Sequence, residues 1–353
     1  MKTTYIIVGA GLAGLCFAEY CRLNQLSFVV LENDSRTSSK VAGGMFNPVV
    51  LKRFTAIWES KAQLDLAHSF YPQIEQFLQQ KFYHQLPIYR KFASIEEQND
   101  WFLACDNPVT RPFLNEVLYR ENFNKISSPL GFGEVYNTGY LDVNHFVSTY
   151  QQYLRSQGLL LKTTFDYEKL CITDESIGYD NLSADHIVFA EGFSLHQNPY
   201  FNYLPLDGTK GELLYVRIPE LNLKPIVKSG VFIIPMSDNL YKVGATYNWE
   251  DKSDLPTKSA KDELIKGLEE LIDAPYEIVS HLAGVRPTVK DRRPLVGTHF
   301  KYKNIHILNG LGTRGVLLGP YLASKLIDNI EKEVPLDKNI DVARYYKKLQ
   351  LIK

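Results

Sequence analysis

The chain has 353 residues, 45% of them hydrophobic, enough to bury a large core and, on length alone, to form two domains. Its 39 basic and 40 acidic residues leave a formal net charge of −1, so nothing global marks a binder of nucleic acid or anionic membrane, although a local patch stays open. No apolar run approaches the ~20 residues of a membrane span, and Cys16, Cys21, Cys105 and Cys171 form no CxxC pair or Cys/His metal spacing, which fits reduced thiols in a cytoplasmic protein.

The first apolar run, Tyr5-Ile6-Ile7-Val8, leads straight into Gly9-Ala10-Gly11-Leu12-Ala13-Gly14. It therefore reads as a strand and not as a signal peptide. A helical stretch follows, and then a second apolar run, Phe28–Leu31, ends on Glu32 and Asn33. Strand, glycine turn, helix, strand and acid make up the dinucleotide-binding βαβ unit, with the acid near the usual spacing of ~20 residues. Gly9 permits the tight turn, Gly11 lets a pyrophosphate approach the backbone, and Gly14 lets the helix pack close to the sheet. The phosphates are expected at the helix N-terminus, where amides lack intrahelical partners. Glu32 would accept hydrogen bonds from the ribose hydroxyls and repel a 2′-phosphate.

A polar loop, Asn33 to Lys40, precedes Ala42, Gly43, Gly44 and Met45, small residues that suit a loop over a cofactor ring or simply a compact turn. Residues 51–80 show helical spacing, with Pro72 as a kink or boundary. Residues 81–135 are short alternating runs punctuated by proline. A helix is expected over 143–156, then strands near 159–170 and 176–182. His186–Gly192 is an apolar strand whose Ala190 and Gly192 suit a second close approach to the dinucleotide. Residues 206–247 alternate as an antiparallel sheet, a suitable pocket wall. A helix over 260–272 follows, and residues 282–298 return to the first domain. The chain closes with strand 305–308, a glycine turn and a helix over 316–331. The fold class is α/β (α+β overall): a Rossmann-like domain over 1–50, 136–204 and 282–353, interrupted by a substrate domain over 51–135 and 205–281 with an antiparallel sheet and helices.

The late turn supplies the next candidates: Gly310, Leu311, Gly312, Thr313, Arg314, Gly315 and Val316. One phosphate-binding turn does not require a second so far away, but FAD has two distant ends. A helix N-terminus at the flavin edge would stabilise the charge of reduced flavin. The bland alternative is a glycine-rich helix start packed on the sheet.

With these motifs in place, the chain resembles the D-amino-acid oxidase/glycine oxidase family of FAD-dependent oxidoreductases over its whole length. The carriers are Gly9–Gly14 with Glu32, Ala42–Met45, Gly139–Asp142, Ala190-x-Gly192, Gly284–Pro287 continuing to Gly297, and Gly310–Pro320. The resemblance implies a nucleotide-binding domain interrupted by a substrate domain with an antiparallel sheet. It implies that Arg286 binds a substrate carboxylate through its planar fork; the structural alternative is an ion pair with Asp291. It also implies family chemistry, in which a neutral amine delivers its α-hydrogen as hydride to flavin N5, the imine hydrolyses, and oxygen takes the electrons. Arg314 is a further substrate-side candidate.

The chain departs from the family at Phe232, where glycine oxidases carry a carboxylate-binding tyrosine; this argues against free glycine and leaves open a flavoprotein with little turnover. Lys242 resembles the sarcosine oxidase lysine that activates oxygen; an ordinary strand lysine is the alternative. Sarcosine oxidases attach flavin through a late cysteine, and no cysteine follows Cys171, so non-covalent FAD is expected. Met45–Arg53 and Gly312–Gly315 also resemble the oxidase module of the bifunctional tRNA wobble-uridine enzyme, which removes a carboxymethyl group from a secondary amine. Arg344, Lys347, Lys348 and Lys353 could meet phosphate or form a solvated face.

Overall fold

The N-terminal βαβ unit lies at the centre of an eight-stranded sheet. The structure is a computed structural model and describes residues 2–33 and 38–346. Across the sheet run Leu160–Lys162, Phe28–Glu32, Lys2–Val8 and Leu182–Phe189, all parallel. The far edge of Leu182–Phe189 is shared. Ile305–Asn309 pairs with its second half in parallel, and Ile177–Tyr179 pairs with its first half antiparallel.

These strands are apolar on both faces because both faces are covered. Tyr5, Ile7, Val30 and Val188 join one core with the helices Leu12–Leu23, Val143–Ser156 and Gly315–Lys332. Ile6, Val8, Val29 and Ile187 join a second core on the other face with Phe201 and Leu204.

A seven-stranded sheet forms the wall opposite. Its order is Glu277–Arg286, Thr209–Arg217, Leu240–Gly244, Phe232–Pro235, Ile226–Lys228, Ile88–Lys91 and Phe132–Val135. Five of its pairings are antiparallel as the alternation predicts; Ile226–Lys228 and Ile88–Lys91 run parallel. The face away from the cofactor sheet is buried under the helix Lys258–Glu269 through Leu264 and Leu268.

Three local expectations change. The helix expected from residue 51 begins only at Ser60, because Val49–Val50 and Thr55–Ala56 first form a small hairpin. Pro72 stays inside the helix Ser60–Leu78 without ending it. Among the runs of 81–135 stands the helix Ile95–Asp106, whose start is written in Ser94-x-x-Glu97: the Ser94 hydroxyl accepts from the Glu97 amide.

Candidate functional site

The two sheets enclose a cavity of about 720 Å³ at the C-terminal ends of the parallel strands. Gly9–Ala13, Glu32, Asn33, Ala42–Met45, Ala190, Gly192 and Leu311–Val316 line it, and so do Phe232, Arg286 and Arg314. Gly14, Gly310 and Lys242 do not. Gly14 serves the packing instead, since a Cβ there would stand 1.9 Å from the Gly9 carbonyl oxygen, and only glycine lets this helix start so close to the turn.

At the nucleotide end the polar groups are mostly backbone. Gly11 caps the helix Leu12–Leu23, whose first turn carries no acid, and the helix N-terminus opens onto the cavity. A Cβ on Gly11 would meet only the Ser39 hydroxyl, at 3.0 Å, and that hydroxyl accepts from the Leu12 amide at 3.1 Å. This is a cradle for an anion, with a hydroxyl at its mouth. The Glu32 carboxylate accepts from the Ala10 amide at 2.6 Å and the Asn33 amide at 2.9 Å, which holds it at the end of its strand. Gln151 on the helix Val143–Ser156 donates to the Ala10 carbonyl at 2.9 Å and fixes the turn from behind. Asn309 donates to the Gly192 carbonyl and accepts from the Gly310 amide, tying the second glycine turn to the strand end at Ala190. These groups fit the diphosphate and ribose of FAD.

Glu191 lines the same end, and burial raises its pKa to about 7 against the hydrogen bonds it accepts from Tyr167 and Asn198.

At the wall the groups are side chains. Arg286 is half-buried and, among the described residues, no carboxylate lies within ion-pair reach of it. Its guanidinium donates to the carbonyls of Lys210 and Thr246 at 3.2–3.3 Å and stacks 4.6 Å from the Tyr247 ring. Burial pushes its pKa down while Tyr247 works the other way. Asp291, the alternative ion-pair partner, instead meets Arg344 and Tyr345. Gly211 makes room for the fork: a Cβ there would lie 1.8 Å from Nη2.

The segment carrying Thr246 and Tyr247 is pinned from below. Lys210, fully buried, donates to Asp251, to Ser253 and to the Leu255 carbonyl, and the Glu212 carboxylate accepts from the Thr257 amide and hydroxyl and lies 2.8 Å from His281. Tyr247, 61% exposed, stands at the cavity lining over Arg286. Phe232 is buried against Gly43 and Gly244, each of which would bring a Cβ within 2.8 Å of its ring.

Lys242 is 1% exposed, and among the described residues it has no hydrogen-bond acceptor; its ammonium sits 5.5 Å from the Tyr215 ring. Burial lowers its pKa, and Asp142 partly offsets this. The register puts it beside Ile234 and Tyr215, one row along from Phe232 on the same sheet face. It is thus not the ordinary exposed strand lysine.

Sequence reasoning missed Ser39, Gln151, Tyr247, Lys228 and the Lys210/Glu212 pair. Only the last left a signal: Lys210-Gly211-Glu212 puts two charges directly before the apolar run Leu213–Val216 of the same strand. Of the C-terminal basic cluster, Lys347, Lys348 and Lys353 lie outside the described residues.

Two glycine-turned helix starts facing one cavity suit a protein that keeps an adenine dinucleotide anchored at both ends. Residues 4–328 match the family described as FAD dependent oxidoreductase (DAO), and the chain belongs to that family. It is 28% identical over 178 residues to the tRNA 5-methylaminomethyl-2-thiouridine biosynthesis bifunctional protein MnmC of Idiomarina loihiensis (46% of this chain, 29% of that protein). It is 26% identical over 243 residues to the glycine oxidase of Bacillus subtilis (63% of each), and 26% identical over 273 residues to a D-amino acid dehydrogenase of Helicobacter pylori (73% and 64%). Each match spans less than two thirds of the relative's length. The fold is that of the glycine oxidase from Geobacillus kaustophilus, with TM-score 0.77 and 18% identity over 95% of this chain and 96% of that one. Iminodiacetate oxidase from Chelativorans sp. BNC1 gives 0.75 and 16% over 95% and 98%. Among the described residues no helix is long and apolar enough to cross a membrane, and no group of acids, histidines and cysteines could hold a metal.

Proposed function

We propose that the protein oxidises the C–N bond of a small amino acid or secondary amine acid, with FAD bound non-covalently between the two glycine turns. The observation that carries this reading is Arg286: a half-buried guanidinium in the cavity wall, held by two carbonyls and, among the described residues, left without an acid. A buried cation that no protein carboxylate neutralises is suited to a substrate carboxylate. When bound, FAD supplies the hydride acceptor at N5. The protein's own residues place the substrate: Arg286 holds the carboxylate, Tyr247 covers the fork, and Phe232 gives the reacting carbon an apolar wall and excludes water. Arg314, exposed at the start of the last helix, faces the same cavity from the cofactor side. The domain division at 1–50, 136–204 and 282–353 against 51–135 and 205–281 is part of the proposal, although the strand Glu277–Arg286, whole in the wall sheet, crosses its boundary at 282, and oxygen is the proposed acceptor. The four free cysteines support a cytoplasmic location.

The test is anaerobic bleaching of the flavin by glycine, sarcosine, D-amino acids and proline. Bleaching by a carboxylate-bearing amine supports the reading. Bound FAD that no amine in the panel reduces would leave a flavoprotein with little turnover, the outcome that the missing hydroxyl at Phe232 keeps open.

A second reading has the match to MnmC and the clustering of Arg292 and Arg293 near Arg314 behind it. In it the amine is a carboxymethylaminomethyl group on tRNA. It requires salt-sensitive retention of tRNA, and failure to retain tRNA at low salt would remove it.

A further inference from the structure

The wall turns one face to the cavity, and its register lays a row of residues across that face. Lys228 pairs with Phe232, Phe232 with Gly244, Gly244 with Leu213, and Leu213 with Leu282. Cross-strand partners share a face, so Lys228 stands at one end of the row that carries Phe232. Arg286 lies at the other end, four residues along from Leu282 and therefore on the same face. Four strand spacings across and four residues along the strand separate the two cations, roughly 23 Å at the backbone. Both line the cavity, and the positions between them in the row are apolar or glycine.

Lys228 resembles Arg286 in how it is held. It is half-buried, and its ammonium donates to the carbonyls of Ser229 at 2.9 Å and Gly230 at 2.7 Å. Among the described residues no carboxylate lies within ion-pair reach. Its neighbour across the strand pair, Arg90, shares the Ser229 carbonyl and spends its own charge on Glu97. Glu263, from the helix Lys258–Glu269, lines the same cavity but does not reach Lys228. An ammonium has three donors, and two carbonyls leave one for a ligand. A lysine with no ligand to meet would extend into water; this one is folded into the end of the cavity.

We propose that Lys228 binds a second anionic group, a carboxylate or a phosphate, carried on the nitrogen substituent of a secondary amine acid. The proposal rests on the reading that Arg286 holds the α-carboxylate. The preferred substrate then spans the wall between two cations, with its amine over the apolar middle beside Phe232.

The test uses the FAD-loaded protein and redox-inert thioether analogues, in which sulfur replaces the amine. Their binding is read as a perturbation of the flavin absorbance. Alkylthioacetates are compared with analogues of equal reach that end in a carboxylate or a phosphonate, with linkers of one to four methylenes. The expected result is that one linker length brings a charged end at least ~10-fold tighter binding than the neutral end, as one charge-assisted contact allows. Lys228→Met abolishes that ratio and Lys228→Arg keeps it. The more tightly bound end identifies carboxylate or phosphate. No preference at any length, or a preference that survives Lys228→Met, overturns the proposal, and the wild-type ratios alone decide should Lys228→Met lose its FAD. If the preference holds while no amine bleaches the flavin, the second anion site stands and the oxidase reading falls.

Discussion

The two ends of the cavity recognise their ligands by different means. At the nucleotide end the polar contacts come from amides and carbonyls set by glycine spacing, with Glu32 as the main side-chain contributor. At the wall they come from the side chains of Arg286, Lys228 and Tyr247, beside the apolar Phe232, brought together from segments distant in sequence. Backbone recognition depends on spacing and tolerates drift in the remaining residues. Side-chain recognition can change with one substitution. On the proposed function, one end would fix the cofactor, while the other would be free to choose the substrate.

That contrast can be broken most severely at Gly14. A Cβ placed 1.9 Å from the Gly9 carbonyl forces the helix away from the turn, which costs on the order of 3 kcal/mol. Gly14→Val is expected to purify without flavin and to unfold at lower denaturant; FAD at wild-type occupancy would refute the close-packing role. At the wall, Arg286→Ala should retain FAD and raise KM for carboxylate substrates by roughly 10²-fold, the size expected when a charged pair loses one partner. An unchanged KM would make the arginine structural, a clamp on Thr246 and Lys210.

Lys242 lies between these cases, on the wall face but outside the cavity lining. Lys242→Met should slow reoxidation of the flavin by oxygen by on the order of 10²-fold, because a nearby cation lowers the cost of forming superoxide. Anaerobic reduction by substrate should change little. Stopped-flow measurement of the two half-reactions separates them, and equal slowing of both would mean that the lysine only supports the sheet.

The same contrast explains what could be read from the sequence. Gly9–Gly14, Glu32 and Gly310–Val316 were legible because a phosphate turn is local: its geometry lies within a dozen consecutive residues. Arg286 was legible through the Gly-Val-Arg-Pro segment and the family it resembles. Tyr247 and Lys228 were not, since nothing in the residues around them says that one covers Arg286 and the other ends the row of Phe232. Gln151 was hidden for a different reason. It reads as a polar position on an amphipathic helix, and only the packing of that helix behind the glycine turn brings its amide to Ala10. The helix Ile95–Asp106 was missed although its capping residues were in view.

The smallest expected change in flavin content or turnover belongs to Glu191, a side chain at the end dominated by backbone. Burial holds its carboxyl near 7 against an ordinary value of 4.5, so the native state keeps a proton that the unfolded chain releases. This contribution to stability is complete below about pH 4.5, declines as pH rises through 7, and is absent above it. A shift of this size corresponds to at most ~3 kcal/mol, less whatever solvent at the cavity mouth screens. Glu191→Gln keeps one oxygen to accept from Asn198, turns its amide toward the Tyr167 hydroxyl, and has no proton to lose. Urea midpoints of the apoprotein between pH 4.5 and 8 should fall for the wild type and fall less for the variant. Parallel curves would show that Glu191 ionises freely in the fold, and that this side chain, like the exposed parts of the wall, is open to water.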